Sequence, residues 1–263
     1  WCWDLDGSLK EIPDRHLFIT IDDDVLEFGV SPVTSPDAKR IVVEVATHGD
    51  ETCGALGVNE LIVGGYLEDI CVRNNVSLTV ILGNPRATAL HRRYSDANLN
   101  RCFTNAIEAA ANAAAEQEEM TAEELEAQEE EAVYEHGRAA FIMGILREVK
   151  PDVYIDLHSC SALSPSFALP MDTTASACLA GRLPVRAVVQ GLAHSTKAKG
   201  TSLDWMLVHM PDVAAVAVEC GRHDARSSVE IAKGVIRSVV TGVSARDPNP
   251  IRQQMVVEDN PIL

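Results

Sequence analysis

The run Ile41-Val42-Val43-Glu44-Val45-Ala46-Thr47-His48-Gly49-Asp50-Glu51 decides how this chain of 263 residues is read. Its apolar first half, interrupted only by Glu44, reads as a buried strand, and its polar second half falls where such a strand hands over to a helix. That helix is expected from about Glu51, and the Gly64-Gly65 pair should stop it. Further along, 78–82, 153–157, 185–189 and 213–218 repeat the short apolar pattern, and 137–148, 203–209 and 225–240 read as helices. Buried strands alternating with helices specify an α/β fold: a mixed, largely parallel sheet flanked by helices.

Around this domain, expected over 41–245, residues 1–40 read as a peripheral lead-in, rich in Asp and Pro with turns at Asp22-Asp23-Asp24, Ser31-Pro32 and Ser35-Pro36, and 246–263 as a C-terminal tail. Between Thr104 and Gly137 there is no Lys or Arg, and Glu108 with the ten glutamates from Glu116 to Glu135 carries 11 negative charges. Its Ala, Glu, Gln and Leu content favours a solvated helical insertion over 104–137, with a specific acidic interaction arm as the alternative.

The chain is 46% apolar and 23% charged, with 39 acidic against 22 basic residues and a formal charge of −17. Such a composition is that of a folded chain, and its field opposes nucleic acid and anionic lipid. No apolar run approaches the 18 or so residues of a membrane span. The start, Trp1-Cys2-Trp3-Asp4, has neither the basic residues nor the apolar stretch of a secretory signal. Seven cysteines, an odd number without a Cys-x-x-Cys pair, fit a reducing, cytoplasmic compartment. The sequence offers no support for an oligomer.

Reactive groups in open parallel sheets gather beyond the carboxyl ends of the strands. Four expected strand ends deliver polar groups: His48-Gly49-Asp50-Glu51, Asn84-Pro85-Arg86, His158 and Glu219. His48 and Glu51 are spaced to converge on one ion, and His158 completes the His₂Glu set typical of catalytic zinc, although other first-row divalent ions accept the same donors. Glu219 ends an apolar strand, where an unpaired carboxylate is costly. Its partner is either a water it deprotonates or a cation such as Arg222. Arg92-Arg93-Tyr94-Ser95-Asp96-Ala97-Asn98-Leu99-Asn100-Arg101 inverts the local charge and suits carboxylate recognition, the competing reading being surface ion pairs. Cys53, Cys160 and Cys220 lie within two residues of these groups, and read as space-filling side chains rather than thiolates or soft ligands.

Taken in order, His48-Gly49-Asp50-Glu51, Asn84-Pro85-Arg86-Ala87, Arg93-Tyr94 with Asp96 and Leu99-Asn100-Arg101-Cys102-Phe103, Asp156-Leu157-His158 and Val218-Glu219-Cys220-Gly221 resemble the motifs of the aspartoacylase and succinylglutamate desuccinylase family, within the zinc carboxypeptidase superfamily. The resemblance spans roughly 41–221. It implies one zinc ion per chain held by His48, Glu51 and His158, Arg93 polarising the scissile carbonyl, Asn100 and Arg101 gripping the substrate's α-carboxylate with Arg86 beside them, and Glu219 shuttling the proton. The implied reaction is hydrolysis of a small anionic N-acyl amino acid. Cleavage of peptide C-termini, or a catalytically lapsed binding protein using the acidic helix, are the alternatives. Three departures bear on specificity: 202–218 contains no arginine, no tyrosine follows Tyr154, and Asn98 stands where the family often has Asp. With 44 residues after Glu219, the C-terminal β domain of the family is expected to be reduced or absent.

Overall fold

The computed structural model describes residues 24–32, 34–105, 107, 133–191 and 199–242 in full, and the backbone of strands at 2–3, 9–10, 18–22 and 253–256. In chain order the strands are β1 (Cys2–Trp3), β2 (Leu9–Lys10), β3 (Phe18–Asp22), β4 (Val25–Gly29), β5 (Lys39–Val45), β6 (Val76–Leu82), β7 (Val153–Cys160), β8 (Phe167–Pro170), β9 (Ala187–Gln190), β10 (Ala214–Arg222) and β11 (Gln253–Val256). The helices are α1 (Cys53–Val63), α2 (Tyr66–Arg73), α3 (Pro85–Ala89), α4 (Tyr134–Val149), α5 (Thr174–Ala180), α6 (Ser202–His209) and α7 (Arg226–Thr241), with a 3₁₀ turn at Leu99–Arg101.

Every apolar run singled out from the sequence becomes a strand. Nine strands form one sheet in the order β11-β9-β8-β10-β7-β5-β6-β4-β3. Pairing is parallel through its centre, β10 with β7, β7 with β5 and β5 with β6, and antiparallel where β8 meets β10 and where β4 meets β6 and β3. The sheet is therefore mixed, as expected. Strand β4 departs from the reading of 1–40 as peripheral: it pairs with β6 along its length, and Val25 and Leu26 are buried. Flanking Asp and Pro hide a five-residue strand whose β6 partners lie 48 to 56 residues further along the chain, so local composition does not disclose it. Strands β3 and β11 extend the two edges of the sheet. The bulk of the Glu-rich insertion, 108–132, lies outside the described residues.

Period-two alternation sends Ile41, Val43, Val45, Ile155, Leu157, Val216 and Val218 to one face, against α1 and α7. Val42, Tyr154 and Ala215 face the other way, against Ala139, Ile142, Met143 and Leu146 of α4 and Trp205 and Met206 of α6. The α4 residues recur at i, i+3, i+4 and i+7, the stripe by which a helix covers a sheet. Each fully buried large apolar side chain contributes about 1.5–3 kcal/mol. The same alternation carries Glu44, Asp156, His158, Ala217 and Glu219 to the α4 and α6 face.

Candidate active site

Strand β5 leaves the sheet through Ala46, whose φ of 53° lies in the left-handed region that costs a side-chain-bearing residue about 1–2 kcal/mol. Two backbone bonds hold it there, Gly83 N–H to the Val45 carbonyl at 2.7 Å and Asn84 N–H to the Ala46 carbonyl at 3.0 Å. The chain then turns through Thr47 and His48. Gly49 must be glycine because a Cβ would sit 2.1 Å from the Ala87 carbonyl carbon of α3.

Glu51 lies at the centre of the cluster. Its Oε1 is 2.8 Å from His48 Nδ1 and accepts from Arg93 Nη1 at 2.8 Å. Its Oε2 is 2.9 Å from His158 Nδ1 and accepts the Ser159 N–H at 2.9 Å. His48, Glu51 and His158 are all buried, and one ligand atom from each lies within 4.8 Å of the others. Burial alone would raise the Glu51 carboxyl, but His158 and then His48 hold it far below the usual carboxylate range. Burial likewise disfavours a charged His158, and Asp156 with Glu51 overrides it.

The second nitrogen of each imidazole has its own partner. His48 Nε2 is 3.0 Å from Asn98 Oδ1, and His158 Nε2 is 2.8 Å from Asp156 Oδ2. Partners of this kind fix the tautomer of a metal-ligating histidine and aim its other nitrogen. His48 Nδ1, though close to Glu51, is off the hydrogen-bonding direction and is a buried nitrogen without a hydrogen bond. Two imidazole Nδ1 atoms converging on one carboxylate, with the His48 nitrogen unsatisfied, form a donor set that fits a divalent ion. A second grouping, Asp50, Glu51 and His223, shares Glu51 and belongs to the same site.

Glu219 stands beside His158 in the β10 and β7 register. Its Oε2 accepts from the Cys160 thiol at 3.2 Å. Burial and the Glu219 charge push Cys160 up to about 12, so the thiol is a proton donor there and no thiolate. Arg222, the alternative partner for Glu219, instead bonds Asp224 through Nε at 2.5 Å and Nη2 at 2.9 Å. All six described cysteines are free.

A cavity of about 200 Å³ opens on this cluster, its wall including His48, His158, Glu219, Arg93, Asn100 and Arg101. The Asn100 side chain reaches His158 Nε2 at 3.4 Å and accepts the Ser202 N–H at 3.3 Å. Arg101 Nη1 donates to the Asn100 carbonyl, and burial, with Arg93 nearby, lowers its affinity for its proton. Arg86 is placed elsewhere: its guanidinium pairs with Asp96 at 3.4 Å, lies 5.4 Å from the centre of the Tyr134 ring, and does not line the cavity. Asn84 caps α3 and Pro85 begins it, and Arg86 in its first turn extends toward Tyr134 of α4.

Several structuring residues went unrecognised in the sequence. Asp156, two positions before His158 on a strand, shares its face, and that spacing was a readable signal. Glu135 gave none. It belongs to the stretch expected to be solvated, yet it is completely buried and accepts from Ser95 N at 2.7 Å, Ser95 Oγ at 2.9 Å, Asp96 N at 3.1 Å, Ala97 N at 3.0 Å and Asn84 Nδ2 at 3.2 Å. Burial opposes its charge, and the Ala97 and Ser95 amides more than offset this, leaving its pKa lowered. One carboxylate thus orders the loop between Arg93 and Asn98.

The sequence model for the succinylglutamate desuccinylase/aspartoacylase catalytic domain matches residues 37–167, which carry His48, Glu51, Arg93, Asn100, Arg101 and His158. The chain belongs to this family. A probable aspartoacylase of Nostoc sp. is 32% identical over 126 residues, covering 47% of this chain and 36% of that protein. An N-acyl-aromatic-L-amino acid amidohydrolase of Rattus norvegicus is 44% identical over 66 residues, 25% of this chain and 19% of that protein. The matched stretches thus span about a third or less of these curated relatives. Among solved structures, a succinylglutamate desuccinylase of Vibrio parahaemolyticus superposes with a TM-score of 0.63 at 20% identity, over 89% of this chain and 66% of its own. A metallo-carboxypeptidase of Burkholderia cenocepacia does so with 0.55 at 14%, over 82% and 59%. The chain thus has a carboxypeptidase-like α/β fold.

Proposed function

We propose that this chain hydrolyses the amide bond of small N-acyl amino acids with the help of one divalent ion, zinc by donor set. The observation that carries the reading is the buried His48, Glu51 and His158 cluster opening on a cavity that also presents Glu219, Arg93, Asn100 and Arg101. A divalent ion held by those three side chains would supply Lewis acidity and ease the deprotonation of water near pH 7. Glu219, half-buried and free of any salt bridge to Arg222, is the base that takes a proton from water in the cavity and returns it to the leaving nitrogen. Arg93 faces the carbonyl as its oxygen gains charge. Asn100 and Arg101 hold the α-carboxylate, the guanidinium fork matching two oxygens.

The remaining wall is largely apolar: Leu169, Pro170 and Met171 from β8 and its end, Leu203 and Leu207 from α6, and Ala217. Among the described residues the guanidinium groups of the wall are Arg93 and Arg101, both assigned above, and Asp204 adds a negative charge. A second substrate carboxylate placed on this wall would lose hydration without an ionic partner, which is costly. We therefore read the preferred side chain as apolar, which accords with the aromatic substrates named for the rat relative.

The test is a panel of N-acetyl-leucine, N-acetyl-phenylalanine, N-acetylaspartate, N-succinylglutamate and matched dipeptides, run before chelation, after it, and after Zn²⁺ is restored. Loss and recovery of hydrolysis, with the apolar N-acetyl compounds fastest, is expected. Turnover indifferent to chelation overturns the metal assignment, and faster cleavage of dipeptides replaces the deacylase with a carboxypeptidase.

A further inference from the structure

Beneath the metal cluster lies a second set of buried polar groups that the proposed reaction does not use. Glu44 on β5 and Asp156 on β7 are cross-strand neighbours in the parallel register, both completely buried, with Thr47 bridging them. Thr47 Oγ1 is 2.9 Å from Glu44 Oε1 and 2.7 Å from Asp156 Oδ1. The other Glu44 oxygen accepts from the Tyr154 hydroxyl at 2.6 Å. The other Asp156 oxygen faces His158 Nε2 at 2.8 Å and Ser202 Oγ at 3.4 Å.

A hydroxyl has one proton to donate. Thr47 therefore cannot donate to both carboxyl groups: it gives its proton to one and accepts from the other, which must itself carry a proton. Asp156 has the imidazole beside it, and a nitrogen of His158 aimed at the metal through Nδ1 leaves Nε2–H to donate to Asp156. The partners of Glu44 in hydrogen bonds are two neutral hydroxyls. The added proton thus belongs on Glu44, a placement that burial and the neighbouring Asp156 support by raising the Glu44 carboxyl to about 7.

From this hydrogen-bond balance we propose that Glu44 is a buried neutral acid that positions the metal site: it donates to Thr47, Thr47 donates to Asp156, and Asp156 fixes His158 with Nδ1 facing Glu51. Read in this direction every polar atom of the relay is satisfied. With Glu44 ionised instead, two carboxylates would compete for one Thr47 proton in the interior. The relay makes Glu44 a positioning residue with no contact to substrate. Gly83 leaves it the room, since a Cβ there would stand 2.8 Å from Glu44 Oε1.

The inference rests on the metal reading above for its consequence and on the hydrogen bonds alone for the proton. Two measurements keep these apart. Infrared spectra at mildly acid pH should show a protonated-carboxyl band that Glu44→Gln removes, and survival of that band in the variant overturns the proposal whatever the metal does. Zn²⁺ affinity, measured by competition with a chromophoric chelator, should stay within about threefold of wild type in Glu44→Gln, whose amide can donate to Thr47 and accept from Tyr154. It should weaken about tenfold or more in Glu44→Leu and in Thr47→Val, the size usual for losing an outer-shell partner. Thr47→Val retains the β-branched shape should the leucine variant fail to fold. Equal weakening by Gln and Leu, or unchanged affinity in both Leu and Val, sinks the relay. If wild-type protein takes up no Zn²⁺, the metal reading fails and the infrared band still decides where the proton sits.

Discussion

At the residue scale the site depends on a few side chains with no interchangeable neighbours. Glu219 is the sharpest case, because it lines the cavity, stands beside His158 in the register, and takes no part in the His48, Glu51 and His158 cluster. Glu219→Gln removes the base while sparing the ligands. We expect it to keep about one equivalent of Zn²⁺ by elemental analysis while kcat falls at least about 10²-fold, the range for deleting a general acid–base. Turnover near wild type would remove Glu219 from the mechanism. Arg86 teaches the opposite lesson. As an arginine four residues past the β6 end it is indistinguishable in sequence from a substrate ligand, and only its pairing with Asp96 and Tyr134 assigns it to the scaffold.

At the element scale, the segment carrying Arg93, Asn100 and Arg101 has little regular structure of its own beyond the 3₁₀ turn at Leu99–Arg101. Its shape is imposed by the first turn of α4, where Glu135 collects the amides of Ser95, Asp96 and Ala97. Each hydrogen bond to a charged group contributes about 1.5–3 kcal/mol, and an unsatisfied buried donor costs a similar amount. Glu135→Gln, which turns an N–H toward these donors, should therefore destabilise the fold by about 2–3 kcal/mol in urea unfolding. It should also raise KM more than it lowers kcat, since the loop holds the substrate carboxylate. A KM left unchanged would show that the loop keeps its form without the anchor. The sign of the pH effect follows from the depressed carboxyl: its contribution is full above the ordinary Glu range and fades as pH falls through the lowered value.

At the scale of the whole molecule, opposite carboxyl shifts act on stability together. Glu44, raised to about 7 by burial and then by Asp156, keeps in the folded state a proton that the unfolded chain releases from about pH 4.5. Its contribution is complete below that unfolded value and declines as pH rises toward 7, by up to about 1.4 kcal/mol per pH unit. Melting temperatures of the metal-free protein should accordingly show Glu44→Gln gaining on wild type between pH 5 and pH 7, and a difference independent of pH would contradict the raised carboxyl. The −17 formal charge also resolves into parts: much of it belongs to the Glu-rich 104–137 stretch, while the cavity carries Arg93 and Arg101. The sequence by itself determined the α/β class, the central strands and the residues that converge at their ends, because apolar period and strand-end chemistry are local properties that survive in one dimension. Among the described residues the tertiary structure alone decided β4 and β8 as sheet members, Glu135 as an anchor, Arg86 as scaffold, and Glu44, Thr47 and Asp156 as a relay. Most of those roles depend on which groups meet across about 40 to 110 positions of chain, and a carboxylate in a sequence does not say whether water, an amide or another carboxylate will be its neighbour.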